Sequence, residues 1–406
     1  MIRPALLVPL AILATTTMAW TQSEVLPPDG WRASPQGTPT GLIETEVIAA
    51  AEPGALVTSW ANLTEVRGLA FRDDQLFGIT QAAVLVELDP FNGRVLNAVT
   101  TELTDAFGLG WDSNRGAFIV TDPVRDLVFR ITPAGYMVAQ FTAPATGPVG
   151  AAYDTTRDAY WIADWEADRI YLIDPDDGTT IRSLPAPPMT GRIAGAAHEP
   201  TTDVLLVHGR DTESAYVLSA VNGMVITSFP VRLTWTNNGD GAAIRASDRS
   251  AYLAHREAAT VLVVDPQIGG CGGTLASYGE GLAGSGGLEP ILEAVGCPVA
   301  TGSSVAWVVS QGRGGSLGWL LVGTAAASTP MLGGQILVAQ PYAAIPHLLD
   351  GITGVPGDGN FHLPLRLPAS PTLTGLALFA QAAYLDPGAP QDVSLSAGLR
   401  LVVGSQ

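Results

Sequence analysis

The feature that most constrains this chain is a glycine that returns five times at nearly even spacing. Gly68 to Phe71, Gly108 to Trp111, Gly150 to Tyr153, Gly195 to His198 and Gly241 to Ile244 open units that start 40, 42, 45 and 46 residues apart. A period of this length marks supersecondary units that cannot bury their apolar faces alone and must stack or close into a ring. Inside each unit the pattern is short strands and turns with no helical period. The units therefore read as four-stranded blades of a β-propeller, with the small residues at each opening on innermost strands that crowd an axis.

The unit from Gly150 is the clearest. Gly150 to Tyr153 reads as the inner strand and Asp154 to Asp158 as a tight turn held by side-chain oxygens. Tyr160 to Ala163, Arg169 to Ile173 and Thr179 to Leu184 read as the next three strands, with Asp174-Pro175-Asp176-Asp177-Gly178 as the hairpin between the last two. Residues 42–63 read as the outer two strands of a further blade that helps close the ring. That makes six blades the favoured count, with five or seven open, over residues 42–277.

The stretch from Tyr160 to Gly178 resembles an NHL repeat or its relative the YWTD repeat, and Phe118 to Gly135 is similar to the same pattern. Leu85 to Leu96 is similar to the YVTN repeats of exported bacterial propellers. The resemblance implies the propeller fold over residues 66–281 and leaves the activity open, because those families include binding modules, lyases and receptors. A propeller is a scaffold, and its function is argued from side chains on its faces.

Beyond the last repeat the composition turns to Gly, Ala, Leu and Pro. Apolar runs bounded by glycine and proline predict a small β-sandwich over residues 278–406. The run from Gly375 to Pro390 followed by Leu395 to Gly404 resembles a C-terminal module found on large secreted bacterial proteins. Residues 1–19 have a positive start at Arg3, an apolar stretch from Ala5 to Leu13 and small residues at Thr17 to Ala19, the pattern of a cleaved signal peptide. Residues 20–41 read as a flexible leader. No membrane span is expected, and the protein is expected outside the cytoplasm: secreted, at the cell surface or periplasmic. Cys271 and Cys297 are then expected to form a disulfide.

Charge narrows the partners. The net charge is −18, and all 20 basic residues are arginine. The missing lysine excludes a phosphate-loop lysine and Schiff-base chemistry. The acidity argues against nucleic acid as a partner, since its binders carry clustered basic side chains.

In a propeller the loops joining second and third strands share a face with the loops that lead into each blade. Aligning the repeats places Thr80-Gln81, Thr121-Asp122, Ala163-Asp164, His208-Gly209 and His255-Arg256 at one position. The openings of the units add Arg67, Asp105, Arg192 and Asp240. The candidate ligand face is Arg67, Asp122, Asp164, Trp165, His208, Trp235, Asn238, Asp240 and His255. Imidazole and carboxylate together suit a divalent metal, calcium or zinc, held by His208, His255 and Asp240. The resemblance points the same way, because related lyases of this fold use a histidine-centred face. The alternative, simpler reading makes Asp122 and Asp164 turn caps and the histidines strand ends. The expected function is an exported, monomeric binding propeller for a protein, carbohydrate or small-molecule ligand; the alternative is a metal-dependent lyase or hydrolase on the same face.

Overall fold

The computed structural model describes residues 53–61, 65–187, 191–212, 214–231, 239–256, 259–269, 272–300 and 302–405. The expected signal peptide and leader, and Trp235, Asn238 and Cys271, lie outside the described residues. The chain divides into two compact units, Ala51–Gly270 with Val295–Cys297, and Cys271–Ala294 with Pro298–Gln406.

The first unit is a β-propeller. Val66–Arg72, Gln75–Thr80, Val84–Leu88 and Val95–Thr100 form one antiparallel sheet, and Leu109–Asp112, Ala117–Asp122, Leu127–Ile131 and Met137–Thr142 the next. Pro148–Asp154, Ala159–Asp164, Arg169–Ile173 and Thr180–Pro185 form the third; Ile193–Glu199, Val204–Gly209, Ser214–Ser219 and Val225–Pro230 form the fourth. Gly239–Ile244, Ala251–His255 and Thr260–Asp265 make the fifth, whose outer strand is Ala55–Ala61. The five inner strands touch in a closed cycle.

Five sheets, not the favoured six, are found among the described residues. The reason is the N-terminal strand: Ala55–Ala61 pairs with Thr260–Asp265 and so completes the last sheet instead of adding a further one. Thr274–Tyr278, which the period assigns to the last repeat, pairs instead with Gly398–Val402 in the second unit.

The repeat glycines explain themselves at the axis. A Cβ on Gly68 would meet Leu109 N at 2.5 Å, on Gly150 Ala196 N at 2.8 Å, and on Gly195 Ala242 N at 2.5 Å. Gly108 faces the Val149 carbonyl, and Gly241 faces the Arg67 carbonyl. Each glycine thus admits the backbone of the next inner strand, and the last admits the first. Farther out, sheets adhere through apolar side chains. Trp161, Leu172, Leu205, Val207 and Leu218 fill the gap between the third and fourth sheets, with Trp161 fully buried. Burying such side chains stabilises by roughly 1.5–3 kcal/mol each.

The second unit contains a six-stranded sheet of Thr274–Tyr278, Gly398–Val402, Ala377–Leu385, Leu317–Gly323 and Ala343–Leu348, with Val393–Leu395 paired to Ala377–Leu385. A three-stranded sheet of Ile291–Val295, Ser304–Gln311 and Gly357–Arg366 shares one core with it, built on Trp307, Leu320, Tyr384 and Leu401. Among the described residues no helix is long and apolar enough to cross a membrane.

Candidate functional site

The residue in front of each repeat glycine decides what faces the mouth where the inner strands begin. Strand register shifts there in four sheets, between Val66 and Gly68, Pro148 and Gly150, Ile193 and Gly195, and Gly239 and Ala242. Such a bulge inserts one unpaired residue and re-aims its side chain. The residues concerned are Arg67, Val149, Ala194 and Asp240. Phe107 holds the same place in the second sheet, its N–H bonded to the Thr121 carbonyl at 2.9 Å. Phe107, Val149 and Ala194 form a buried apolar arc, and the Arg67 guanidinium lies 5.3 Å over the Phe107 ring. Arg67 and Asp240 supply the charged part of the ring.

A second tier stands beside it. Val66 pairs with Thr80, Pro148 with Asp164, Ile193 with Gly209 and Gly239 with His255. The residues that follow these strand ends are therefore equivalent: Gln81, Trp165, Arg210 and Arg256. Arg67 Nη2 donates to Gln81 Oε1. Arg210 lies 5.0 Å over the Trp165 ring, which meets Phe107 edge to face at 5.4 Å.

At the centre Asp240 is fully buried; its Oδ2 accepts the Arg256 backbone N–H at 3.1 Å, and its Oδ1 has no partner. Burial raises the Asp240 carboxyl above its usual range, while Arg256, Arg210 and Arg67 pull it back. Burial lowers the Arg67 and Arg210 guanidinium groups, and repulsion from Arg256 lowers both further. Arg67 Nε, Arg210 Nε and Arg210 Nη1 are buried with no hydrogen-bond partner. Among the described residues none of Arg67, Arg210 and Arg256 is in an ion pair, whereas nearby Arg125 binds Asp122 at 2.8 Å and Arg192 binds Asp211 at 3.0 Å.

His208 and His255 do meet, with ring centroids 4.8 Å apart and an edge-to-face tilt of 68°. They do not occupy one repeat position, as the sequence alignment supposed. His208 pairs with Gly195, while His255 pairs with Gly239 and so matches Gly209. Successive strand residues point to opposite faces, so this offset of one residue lets the two rings face each other from adjacent sheets. Both are buried, and no ring nitrogen of either has a hydrogen-bond partner. Burial, then the neighbouring ring, pushes His208 far down, opposed weakly by the backbone of Gly241 and Asp240; burial pushes His255 down to about 4. Among the described residues, the group whose ligand atoms lie within 4.8 Å of one another is Asp154, His198 and Asp203, not His208, His255 and Asp240.

That group is already occupied by side chains. Arg157 binds Asp154 at 2.6 Å and Asp203 at 2.6 and 2.7 Å, Trp161 Nε1 donates to Asp154 at 3.0 Å, and His198 Nε2 lies 3.2 Å from Asp203. It is an ion-pair network at the opposite end of the axis, next to a cavity of about 80 Å³ lined by the inner strands.

The remaining candidates follow the simpler alternative. Asp122 Oδ1 accepts the N–H groups of Val124 and Arg125, and Asp164 Oδ1 those of Glu166 and Ala167, at 2.9–3.0 Å. Both are buried turn caps, and burial raises the Asp164 carboxyl. Trp165 packs on Phe107 beneath Arg210 and is half-buried. Sequence reasoning missed Arg210 as a face residue. The signal was the arginine following Gly209, matched by the one following His255, and it emerges only when the register is right.

Neither a protein-family model nor a curated protein matches the chain. Among solved structures, glutaminyl cyclase of Myxococcus xanthus is similar at 13% identity and a TM-score of 0.44, over 52% of this chain and 97% of that one. A propeller in a nidogen/laminin complex is similar at 17% identity and a TM-score of 0.39, over 50% and 76%. Virginiamycin B lyase of Staphylococcus aureus is similar at 16% identity and a TM-score of 0.34, over 49% and 65%. These likenesses concern fold alone.

Proposed function

We propose that this chain is an exported propeller protein that binds a ligand at the mouth where the inner strands begin. The observation that carries the reading is the ring of bulged residues. It brings Arg67 and Asp240 to one opening beside Arg210 and Arg256, with buried polar atoms left without protein partners. Buried polar groups are nearly always satisfied by protein, water or a ligand, and the guanidinium donors here are suited to the last two. Function as binding, not metal catalysis, fits the histidines: the two buried imidazoles pack on each other with their protonation disfavoured, and Asp240 is pulled on by Arg256, Arg210 and Arg67.

Export belongs to the same proposal and rests on the signal-peptide pattern of residues 1–19. It predicts that Cys271 and Cys297 are bridged, which in a 26-residue loop stabilises by roughly 3 kcal/mol. Non-reducing peptide mass spectrometry on exported protein should find the two peptides linked; two alkylatable thiols would reject the bridge.

The binding face is tested by ligand-observed NMR on the full chain with cellobiose, succinate, inorganic phosphate and putrescine. Gln81→Trp puts a bulky ring at the mouth and removes the acceptor of Arg67 Nη2, while leaving all three arginines in place in the sequence. A probe that binds the native chain should be lost in this variant. Probes that bind both equally would place the ligand site elsewhere.

A further inference from the structure

We infer that the mouth is an oxoanion site, in which Arg67, Arg210 and Arg256 take a small ligand bearing a carboxylate or phosphate group. The inference deepens the binding-face reading above and depends on it.

Charge is the first reason. Arg67, Arg210 and Arg256 all act on the buried carboxylate of Asp240, with Asp105 and Asp211 as further carboxylates acting on Arg67 and Arg210, in a chain whose net charge is −18. Guanidinium groups gathered in an otherwise acidic chain attract a small anion, while the acidic surround repels a polyanion. Unmet hydrogen-bonding capacity is the second reason. Arg67 Nε and Arg210 Nε and Nη1 are buried and unpartnered, while both side chains stay partly exposed as a whole. Guanidinium forks match the two or more acceptor oxygens of carboxylate and phosphate, and charge-assisted bonds of this kind are the strong ones.

Pre-organisation is the third. Arg67 rests on Phe107 and is tied to Gln81, and Arg210 rests on Trp165, so little side-chain freedom is lost on binding. The like charges repel one another, with Asp240 as a shared counter-charge. A bound oxoanion removes that repulsion.

The test is isothermal titration calorimetry of the full chain at low ionic strength with inorganic phosphate and, separately, succinate. At least one should bind one-to-one. Arg210→Gln should weaken it about tenfold or more, since a charge-assisted bond is lost. Asp240→Asn, which keeps an acceptor for the Arg256 N–H, should tighten it several-fold. Arg94→Gln, on an exposed outer turn, should change nothing. Binding by phosphate alone, succinate alone or both identifies the headgroup. If neither binds at about 10 mM, or if folded Arg210→Gln and Arg256→Gln bind as the native chain does, the inference falls. A neutral or cationic probe lost in Gln81→Trp while both anions fail would leave the binding face standing and remove the anion assignment.

Discussion

The two ends of the propeller axis use the same residue types in opposite ways. At the end where inner strands turn back, arginines clasp neighbouring sheets through carboxylates. Arg115 joins Asp112 to Asp158, Arg157 joins Asp154 to Asp203, and Arg245 reaches Asp74 across the closure between last and first sheets. The acids do double duty, because Asp112 and Asp154 also accept the N–H groups of their own turns. At the other end Arg67, Arg210 and Arg256 make no ion pair among the described residues, and all three act on the buried carboxylate of Asp240. The repeat thus shows which charges hold the ring together and which are left for something else. In the turn-end pairs the carboxylate lies three residues away or on the next sheet.

The contrast breaks first if the turn end proves dispensable. Asp154→Ala removes a buried acceptor of the Thr156 and Arg157 N–H groups, the Arg157 guanidinium and the Trp161 indole. Leaving those donors unpaired should cost about 3 kcal/mol in urea denaturation, the lower end of the range for a broken buried pair because Arg157 is partly exposed. Arg210→Gln at the mouth should cost less than about 0.5 kcal/mol, or stabilise by relieving repulsion. Equal losses would erase the distinction.

Protonation should separate the ends along the pH axis. His255 is held down at about 4 when folded, against about 6.5 unfolded, so the unfolded chain takes up its proton first. Stability should therefore fall as pH drops from about 6.5 to about 4, by up to about 3 kcal/mol, and His255→Phe should flatten that window. Asp203 is held at about 2 by Arg157, so its contribution persists above the usual carboxylate range and is lost only as pH falls from about 4 towards 2. Denaturation midpoints across pH 2–8 check both; a loss confined below pH 4 would contradict the account of the histidine pair.

Between the two ends lies the glycine ring. Gly195→Ala should destabilise by about 1–3 kcal/mol, because the new methyl meets the Ala242 backbone, which cannot move without shifting the next sheet. An unchanged melting curve would mean that the spacing of the glycines has another cause.

The glycine period made the propeller legible because the constraint it reports is local and repeated: each copy faces the backbone of the next. The number of sheets was not, since Ala55–Ala61 looks the same in sequence whether it adds a blade or completes one. The site was half legible. Arg67 and Asp240 stood out by position, and Asp122 and Asp164 behaved as the turn caps their spacing allowed. His208 and His255 misled because counting residues cannot see a bulge, and an offset of one residue turns a side chain to the other face of its strand. The same offset hid Arg210, whose match is Arg256.

The most direct test is a thermal melt of three proteins with and without saturating inorganic phosphate, or succinate if that is the headgroup bound. A ligand that binds only the folded chain raises its melting temperature. The native chain should gain such a shift. Arg157→Gln should melt lower yet keep the shift; Arg210→Gln should melt near the native temperature and lose it. If Arg210→Gln keeps the full shift, or if it melts as low as Arg157→Gln, the mouth arginines are structural and the two ends of the axis do not differ in role.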